Sequence, residues 1–212
     1  MYPKGHRHSF SIIFLLKAEI MNLTISILYG SVRSERQGIK AARYLENKLK
    51  ERKIQIHFID PLEYPLPFLD KMYKEYETGK APDNMEKIAG FLKASDGFLI
   101  VTGEYNHSIP PALKNLLDHF QKEYFFKPSA IASYSAGHFG GVRAAVHLRA
   151  ILGELGMPAI SSMLPLPGIA KLFDNDLNPT NELTESSTQR FLDEFIWYAE
   201  AFKTQRNKGT PY

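Results

Sequence analysis

Three polar segments, each following a short apolar run, hold the side chains whose types and spacing could do chemistry. The first, GSVRSERQ, follows the run TISILY and contains Ser31, Arg33, Arg36 and Gln37. A polar loop that opens a helix offers unpaired backbone N–H groups and the positive end of the helix dipole, to which serine, glutamine and arginine add donors. This segment therefore predicts an anion site suited to a phosphate. It is neither a Walker loop nor a G-x-G-x-x-G fingerprint, and a capping serine with surface arginines is the alternative.

The second segment, GEYNHS, follows the apolar run FLIV. Tyr105 and Asn106 could give a planar heteroaromatic ligand a backbone edge with N–H donors and an aromatic surface. Asn106 and Ser108 are equally expected to cap the following helix, and the two roles can coexist. His107 is not assigned an acid–base role, because a lone loop histidine more often faces solvent. Glu104 has no evident carboxylate partner, which disfavours a paired-acid hydrolase.

The third segment, SAGHFGG, follows the run SAIASY and is rich in glycine. Glycines at Gly137, Gly140 and Gly141 permit positive φ angles and a close approach of the backbone to a ligand. Ser135 begins the segment, and His138 could face an aromatic ring. A plain strand-to-helix turn is the alternative, although such a turn rarely needs so many glycines.

These segments need elements that bring them together, and the apolar patterns predict alternating strands and helices. The expected strands are Thr24–Tyr29, Ile54–Ile59, Phe98–Val101, Ser129–Tyr134 and Pro158–Met163. The expected helices are Ile39–Arg52, Asp83–Lys93 with Asp83 as its cap, Pro111–Phe120, Val142–Leu155 and Ser187–Lys203. Residues 164–185 are expected to be irregular, and the segment from Pro61 to Lys80 is long enough to cover another element or form an interface.

Strands that alternate with helices indicate an α/β protein with a parallel sheet covered on both faces. With right-handed crossovers, the expected fold is a three-layer, doubly wound, flavodoxin-like architecture with five parallel strands in the order 2-1-3-4-5. The loops after strands one, three and four then lie on one edge of the sheet. The three segments together predict a mononucleotide lying along that edge.

Composition narrows the class of protein further. The 212 residues carry 44% hydrophobic and 23% charged residues, a net charge of +3 and no cysteine. No Lys/Arg block is dense enough to predict nucleic-acid binding, and the absence of cysteine excludes disulfides, a thiolate nucleophile and a cysteine metal site. We expect no metal, no membrane association and a cytoplasmic protein.

The domain boundaries follow from the same patterns. Residues 1–20 are expected to be an N-terminal extension or leader, since their apolar run is too short to span a membrane and no signal cleavage site follows. Residues 21–205 are expected to form one flavodoxin-like domain, and residues 206–212 a C-terminal tail.

The three segments resemble the NADPH-dependent FMN reductase family, which includes quinone, azo and chromate reductases. GSVR at 30–33 resembles its G-S-x-R phosphate loop, and GEYNHSIP at 103–110, with LKN at 113–115 and Asp118, resembles P-E-Y-N-x-S-x-P-x-x-L-K-N-x-x-D. Residues 135–144 resemble its third loop. Two positions depart from the pattern: Gly103 replaces the usual proline, and Arg36 lies near a position that is often serine or asparagine.

This resemblance implies non-covalently bound FMN, with its phosphate at the first loop and its ribityl chain and ring at the second and third. The implied cofactor-binding residues are Ser31, Arg33, Arg36, Gln37, Glu104, Tyr105, Asn106, His107, Ser135, Gly137, His138, Gly140 and Gly141. The implied enzyme is an NAD(P)H oxidoreductase in which NADPH or NADH reduces FMN and a quinone-like small molecule then takes the electrons, by a ping-pong mechanism. No catalytic side chain is implied, because the flavin carries the chemistry.

The resemblance further implies a homodimer or homotetramer with the flavin near the subunit interface. The expected contacts are Leu116, His119, Phe120, Tyr124, Phe125 and residues 73–76, with core packing as the alternative. Two other functions stay open: a flavodoxin-like electron carrier and a cofactor-free binding module. Flavodoxins are typically acidic with a Thr/Ser/Gly-rich phosphate loop, so the basic charge and the presence of Arg33 and Arg36 in this loop disfavour the carrier.

Overall fold

The apolar runs of the sequence pair with one another in a single parallel sheet. In a computed structural model, which describes residues 22–212, the strand order is β2-β1-β3-β4-β5. The strands are β1 (Thr24–Tyr29), β2 (Gln55–Ile59), β3 (Gly97–Gly103), β4 (Ser129–Tyr134) and β5 (Ala159–Leu166). The helices are α1 (Ile39–Glu51), α2 (Asp83–Ala94), α3 (Pro111–Asp118), α4 (Val142–Glu154), α5 (Ile169–Leu172) and α6 (Glu182–Arg206). This order confirms the predicted flavodoxin-like fold.

Strand β3 lies in the middle of the sheet and is buried on both faces. Its side chains alternate between two cores: Phe98 and Ile100 face one, and Leu99 and Val101 face the other. Leu99 is in register with Ile27 of β1 on one side and with Ala130 of β4 on the other. A strand in this position needs apolar side chains at every residue, which explains its unbroken apolar run.

The two cores correspond to the two helical layers. One face of the sheet packs against α1 and α6, with Leu45 and Phe195 fully buried there, and the other packs against α2, α3 and α4, with Met85 and Leu117 inside. Each such side chain contributes about 1.5–3 kcal/mol through burial. The packing fixes the sheet edge from which the predicted site loops extend.

The C-terminal third contains more regular structure than the sequence predicts. Strand β5 extends to Leu166, α5 follows, and α6 begins at Glu182 rather than at Ser187. The reason is Asn181, whose side-chain oxygen accepts a hydrogen bond from the Thr184 N–H at 2.8 Å and caps the helix. At α2 the predicted cap is wrong, because Asp83 is the first helical residue and Pro82 precedes it without a side-chain cap.

The long segment after β2 covers α3 through backbone contacts. Asn115 donates to the Pro67 carbonyl at 2.8 Å and accepts from the Leu69 N–H at 3.0 Å, and the Tyr73 N–H bonds to the His119 carbonyl. Four of the expected interface residues, namely Leu116, His119, Phe120 and Tyr124, are buried within the single chain. They therefore belong to the core, which was the alternative interpretation.

In the part of the chain that the structure describes, no helix is both long and apolar enough to cross a membrane. The predicted extension, residues 1–20, lies outside the described residues, and the proposed domain boundaries stay predictions.

Candidate functional site

The three loops after β1, β3 and β4 meet around one cavity of about 340 Å³. Its lining combines polar and aromatic side chains from all three loops. The lining residues are Ser31, Arg33, Glu35, Arg36, Gln37, Gly103, Glu104, Tyr105, Tyr134, Ser135, Ala136 and Ile169. Seven of the thirteen candidate residues are among them. The others, Asn106, His107, Gly137, His138, Gly140 and Gly141, lie in the second and third loops but do not line this cavity.

The first loop is fixed around Ser31, which is only 2% exposed. The Ser31 Oγ accepts a hydrogen bond from the Arg33 N–H at 3.4 Å and lies 3.3 Å from the Tyr105 hydroxyl. The first and second loops are therefore joined at the cavity through this serine.

Several donors of the first loop have no acceptor within residues 22–212. The backbone N–H groups of Val32, Ser34, Glu35 and Arg36 make no hydrogen bond there, and the exposed side chain of Arg33 forms no ion pair there. Unpaired N–H groups in a loop that leads into a helix, together with an arginine, can bind an anion. The loop thus has the donors and the charge that a phosphate requires.

Arg36 has different surroundings from Arg33. Its Nη1 donates to Asp60 Oδ1 at 2.5 Å and to the Ser31 carbonyl at 3.2 Å, and its guanidinium lies 5.4 Å from the centre of the Tyr29 ring. The hydrogen bond to Asp60 raises the pKa of Arg36 above its usual value. The charge of Arg36 is therefore largely matched within the protein.

The second loop turns through two residues with positive φ, Asn106 at 50° and His107 at 66°. Tyr105 and Ser108 flank this turn and exchange backbone hydrogen bonds of 2.9 and 3.0 Å. Two positive φ angles inside such a pair are typical of a type I′ turn, which exposes its central side chains. Asn106 and His107 are both exposed, as expected for such a turn.

The predicted capping of α3 by Asn106 or Ser108 is wrong. Pro110 occupies the N-cap position, and no side chain bonds to the first turn of the helix. The tight turn directs Ser108 elsewhere, and its Oγ lies 2.8 Å from His147 Nδ1 on α4.

Glu104 joins the second loop to the third. Its Oε2 accepts hydrogen bonds from the backbone N–H groups of Arg143 at 3.1 Å and Ala144 at 3.3 Å, at the start of α4. The Arg143 guanidinium lies 3.6 Å from the other carboxylate oxygen. Both carboxylate oxygens of Glu104 are therefore occupied by contacts with the first turn of α4, whose positive dipole end favours a negative charge there.

The glycines of the third loop have two different explanations. Gly140 and Gly141 have φ angles of 60° and 78°, and a Cβ on Gly141 would lie 2.8 Å from the Tyr134 carbonyl oxygen. The fold therefore requires both. At Gly137 an added Cβ would meet no atom within 4 Å. The missing side chain there leaves space through which a ligand can approach the backbone.

Tyr134 is a lining residue that the sequence analysis did not identify. Its ring stacks on Tyr29 with 6.5 Å between centres, and its hydroxyl donates to the Tyr29 hydroxyl at 3.4 Å. Burial raises the pKa of both phenols, so both are neutral near pH 7.

Two glycines make room for the Tyr134 ring. A Cβ on Gly38 would lie 2.0 Å from the ring, and a Cβ on Gly103 would lie 3.1 Å from it. Gly103, which stands where the family usually has proline, thus lies directly beside the Tyr134 ring.

His138 lines a different cavity of about 580 Å³, together with Phe139. That cavity lies between β5 and the start of α6 and includes no residue of the first or second loop. Although it is larger, it lacks the convergence of loop donors found in the first cavity. The candidate site is therefore assigned to the smaller cavity.

Comparisons with known proteins identify the family of the chain. The sequence profile described as NADPH-dependent FMN reductase matches residues 23–170. A quinone reductase of Pseudomonas putida is 31% identical over 180 residues, covering 81% of this chain and 92% of that protein. An NAD(P)H-dependent FMN reductase of Schizosaccharomyces pombe is 33% identical over 184 residues, covering 80% of this chain and 87% of its own length.

Solved structures give the same fold. The flavoenzyme NAD(P)H:(acceptor) oxidoreductase FerB of Paracoccus denitrificans superposes with a TM-score of 0.70 at 26% identity, covering 85% of this chain and 98% of that one. A flavodoxin of Pseudomonas aeruginosa superposes with a TM-score of 0.52 at 19% identity, a likeness of fold alone. The region matched by the family profile contains all three loops of the site, and the chain belongs to the NADPH-dependent FMN reductase family, whose members are FMN- and NAD(P)H-dependent oxidoreductases.

Proposed function

We propose that this protein binds FMN at the three loops and passes electrons from NADPH or NADH to a small quinone-like acceptor, the two substrates binding in turn. The observation that carries the proposal is the convergence of all three loops on one cavity whose first loop has unpaired N–H groups. The names of relatives from Pseudomonas putida and Schizosaccharomyces pombe, a quinone reductase and an NAD(P)H-dependent FMN reductase, support the same reaction class.

The residues present fit the phosphate of FMN. The proposed contacts are the side chains of Ser31, Arg33 and Gln37 and the unpaired backbone N–H groups between them. These groups are donors or carry positive charge, as a dianionic phosphate requires. Arg36 is proposed to contribute through its place beside Ser31, because its Nη1 is already bound to Asp60.

The turn of the second loop and the open backbone at Gly137 are proposed to hold the ribityl chain and the ring. Asn106 and His107 expose a tight turn on one side, and Ser135 and Gly137 leave an unobstructed backbone on the other. When bound, FMN supplies the hydride and electron chemistry. The chain itself binds and orients, and we assign no side chain as acid or base, since Glu104 is held by α4 and the raised pKa of the buried phenols makes them poor proton donors.

We propose in addition that a second copy of the chain covers the face beside the first loop. Val32 and Leu62 are 47% and 52% exposed and together line a cavity of about 260 Å³. Exposed apolar side chains grouped in this way are typical of interfaces. Sedimentation of the purified protein would show a dimer or tetramer, and a monomer at micromolar concentration would contradict this proposal.

The experiment that tests the main proposal combines binding with reduction. Purified protein is loaded with FMN, freed of excess ligand and mixed with NADPH without oxygen. We expect the visible flavin band to bleach and to return when benzoquinone is added. In steady-state assays, initial rates at varied quinone, measured at several fixed NADPH concentrations, should give parallel double-reciprocal lines. A protein that retains FMN but is not bleached by NADPH or NADH would be an electron carrier, and one that takes up no FMN would be a binding module. Either result contradicts the proposed reaction.

A further inference from the structure

Asp60 lies outside the three loops but contacts the first of them from the end of β2. Its side chain is 6% exposed, and its Oδ1 accepts hydrogen bonds from Arg36 Nη1 at 2.5 Å and from the Leu62 N–H at 3.0 Å. A buried carboxylate is costly unless it is paired and hydrogen-bonded. Asp60 and Arg36 therefore hold each other in place.

The same arginine nitrogen continues the contact into the first loop. Arg36 Nη1 donates to the Ser31 carbonyl at 3.2 Å, and the Ser31 Oγ accepts from the Arg33 N–H at 3.4 Å. The Ser31 Oγ also lies 3.3 Å from the Tyr105 hydroxyl of the second loop. The buried Asp60 carboxylate is thus connected to Ser31 through the Arg36 guanidinium.

We propose that Asp60 is a positioning residue of the phosphate site, acting through Arg36 to hold the backbone of residues 31–37 in its anion-binding shape. This inference rests on the proposed function, since it assumes that FMN phosphate binds at that backbone. Backbone N–H groups bind an anion well only when they are fixed before it arrives. Without the carboxylate, Arg36 loses its charged acceptor, and the first loop loses its connection through Arg36 to the end of β2.

The first test compares FMN with riboflavin, which lacks the phosphate. We expect Asp60→Asn to raise the FMN dissociation constant by about tenfold and the riboflavin constant by much less, since the loss falls on a charge-assisted contact. Asp60→Glu, which keeps the charge, is expected to retain more FMN affinity. In a double-mutant cycle, adding Asp60→Asn to Arg36→Gln should cost little further affinity, because both changes break the same connection.

Asp96→Asn provides a matched control at the opposite end of the sheet. Asp96 is also buried, and it pairs with Lys203 and Arg206 at 2.8 Å each. We expect this variant to lose stability while its ratio of FMN to riboflavin affinity stays at the wild-type value. The comparison separates positioning of the loop from general weakening of the fold.

A second readout needs no ligand. Amide hydrogen exchange of Arg33 and Gln37, whose N–H groups are hydrogen-bonded within the loop, should accelerate in FMN-free Asp60→Asn but not in Asp96→Asn. Unchanged exchange, unchanged or tighter FMN binding, or equal losses for FMN and riboflavin would each overturn the role assigned to Asp60. Failure of the wild-type protein to bind FMN would instead contradict the proposed function, and the exchange result would still report on Asp60.

Discussion

Arg33 and Arg36 lie three positions apart in the same loop, but their surroundings give them different roles. Arg36 bonds to the buried Asp60 and to the Ser31 carbonyl, whereas Arg33 is exposed and has no ion pair within the described chain. A side chain whose charge is already matched adds little to the binding of a second anion, while an unpaired one adds a charge-assisted hydrogen bond. Of the two, Arg33 is thus expected to meet the phosphate.

Replacing Arg33 tests this difference. We expect Arg33→Ala to weaken FMN binding by about tenfold or more and to change riboflavin binding by less than about twofold, since only FMN carries the phosphate. Fluorescence titration of the two flavins measures both constants. Arg190→Ala, an exposed arginine on α6, serves as the control and should alter neither. An equal loss for both flavins would contradict the role of Arg33.

Gly38 is a second residue whose role depends on a neighbour. Its φ of −63° is open to any residue, but an alanine Cβ there would lie 2.0 Å from the Tyr134 ring. We expect Gly38→Ala to lower the free energy of unfolding by about 1–3 kcal/mol through overpacking. Urea denaturation measures the change. Gly90→Ala, in an exposed position of α2 with nothing within 4 Å, should instead stabilise by about 0.5–1 kcal/mol. Equal effects of the two alanines would refute the steric argument.

At the scale of elements, the three loops are held to one another by side chains as well as by the sheet. Glu104 accepts two backbone hydrogen bonds from the first turn of α4, and Ser31 contacts Tyr105 across the first and second loops. The sheet brings the loop ends to one edge, and these contacts set how the loops face the cavity.

Glu104→Gln tests the contact between the second loop and α4. The amide can still accept hydrogen bonds, but the negative charge at the helix N-terminus is lost, so we expect a loss of about 0.5–1 kcal/mol in the free energy of unfolding. Glu154→Gln is the matched control, because Glu154 lies at the opposite end of α4, where a negative charge opposes the dipole. Thermal or urea unfolding should show that variant unchanged or slightly stabilised. Destabilisation of both variants to the same degree would exclude a dipole effect.

At the scale of the whole molecule, buried tyrosines connect stability to alkaline pH. Burial raises the pKa of Tyr29, Tyr44, Tyr124 and Tyr134 in the folded protein. An unfolded tyrosine loses its proton near pH 10, while the folded chain keeps it, so the unfolded state binds fewer protons above that pH. Stability is therefore complete below about pH 10 and falls as the pH rises further.

The expected slope is about 1.4 kcal/mol per pH unit for each tyrosine that stays protonated. Urea unfolding between about pH 11 and 12 measures it in a range where unfolded lysines are mostly neutral. Lys127, whose pKa burial lowers to about 8, then adds little slope. Tyr44→Phe should reduce the slope by one group's share. A stability that does not change across this range would contradict the prediction.

Much of this protein follows from its sequence alone. The unbroken apolar run of β3, the alternation of strands with helices and the three polar segments after β1, β3 and β4 are enough to predict the strand order, because parallel strands with right-handed crossovers allow few arrangements. The motifs around Ser31, Tyr105 and Gly140 likewise indicate the family. Local pattern determines these features since each depends on residues close together in the chain.

Only the tertiary structure decides which partner each polar side chain finds. The pairing of Arg36 with Asp60, the binding of Glu104 to α4 and the contact of Tyr134 with Gly38 join residues separated by 24 to 96 positions or lying on different elements. Sequence spacing cannot show such pairs, because burial and hydrogen-bond geometry exist only once the sheet has brought the loops together. The sequence therefore predicts where the candidate site lies, and the folded chain decides which of its residues remain available to a ligand.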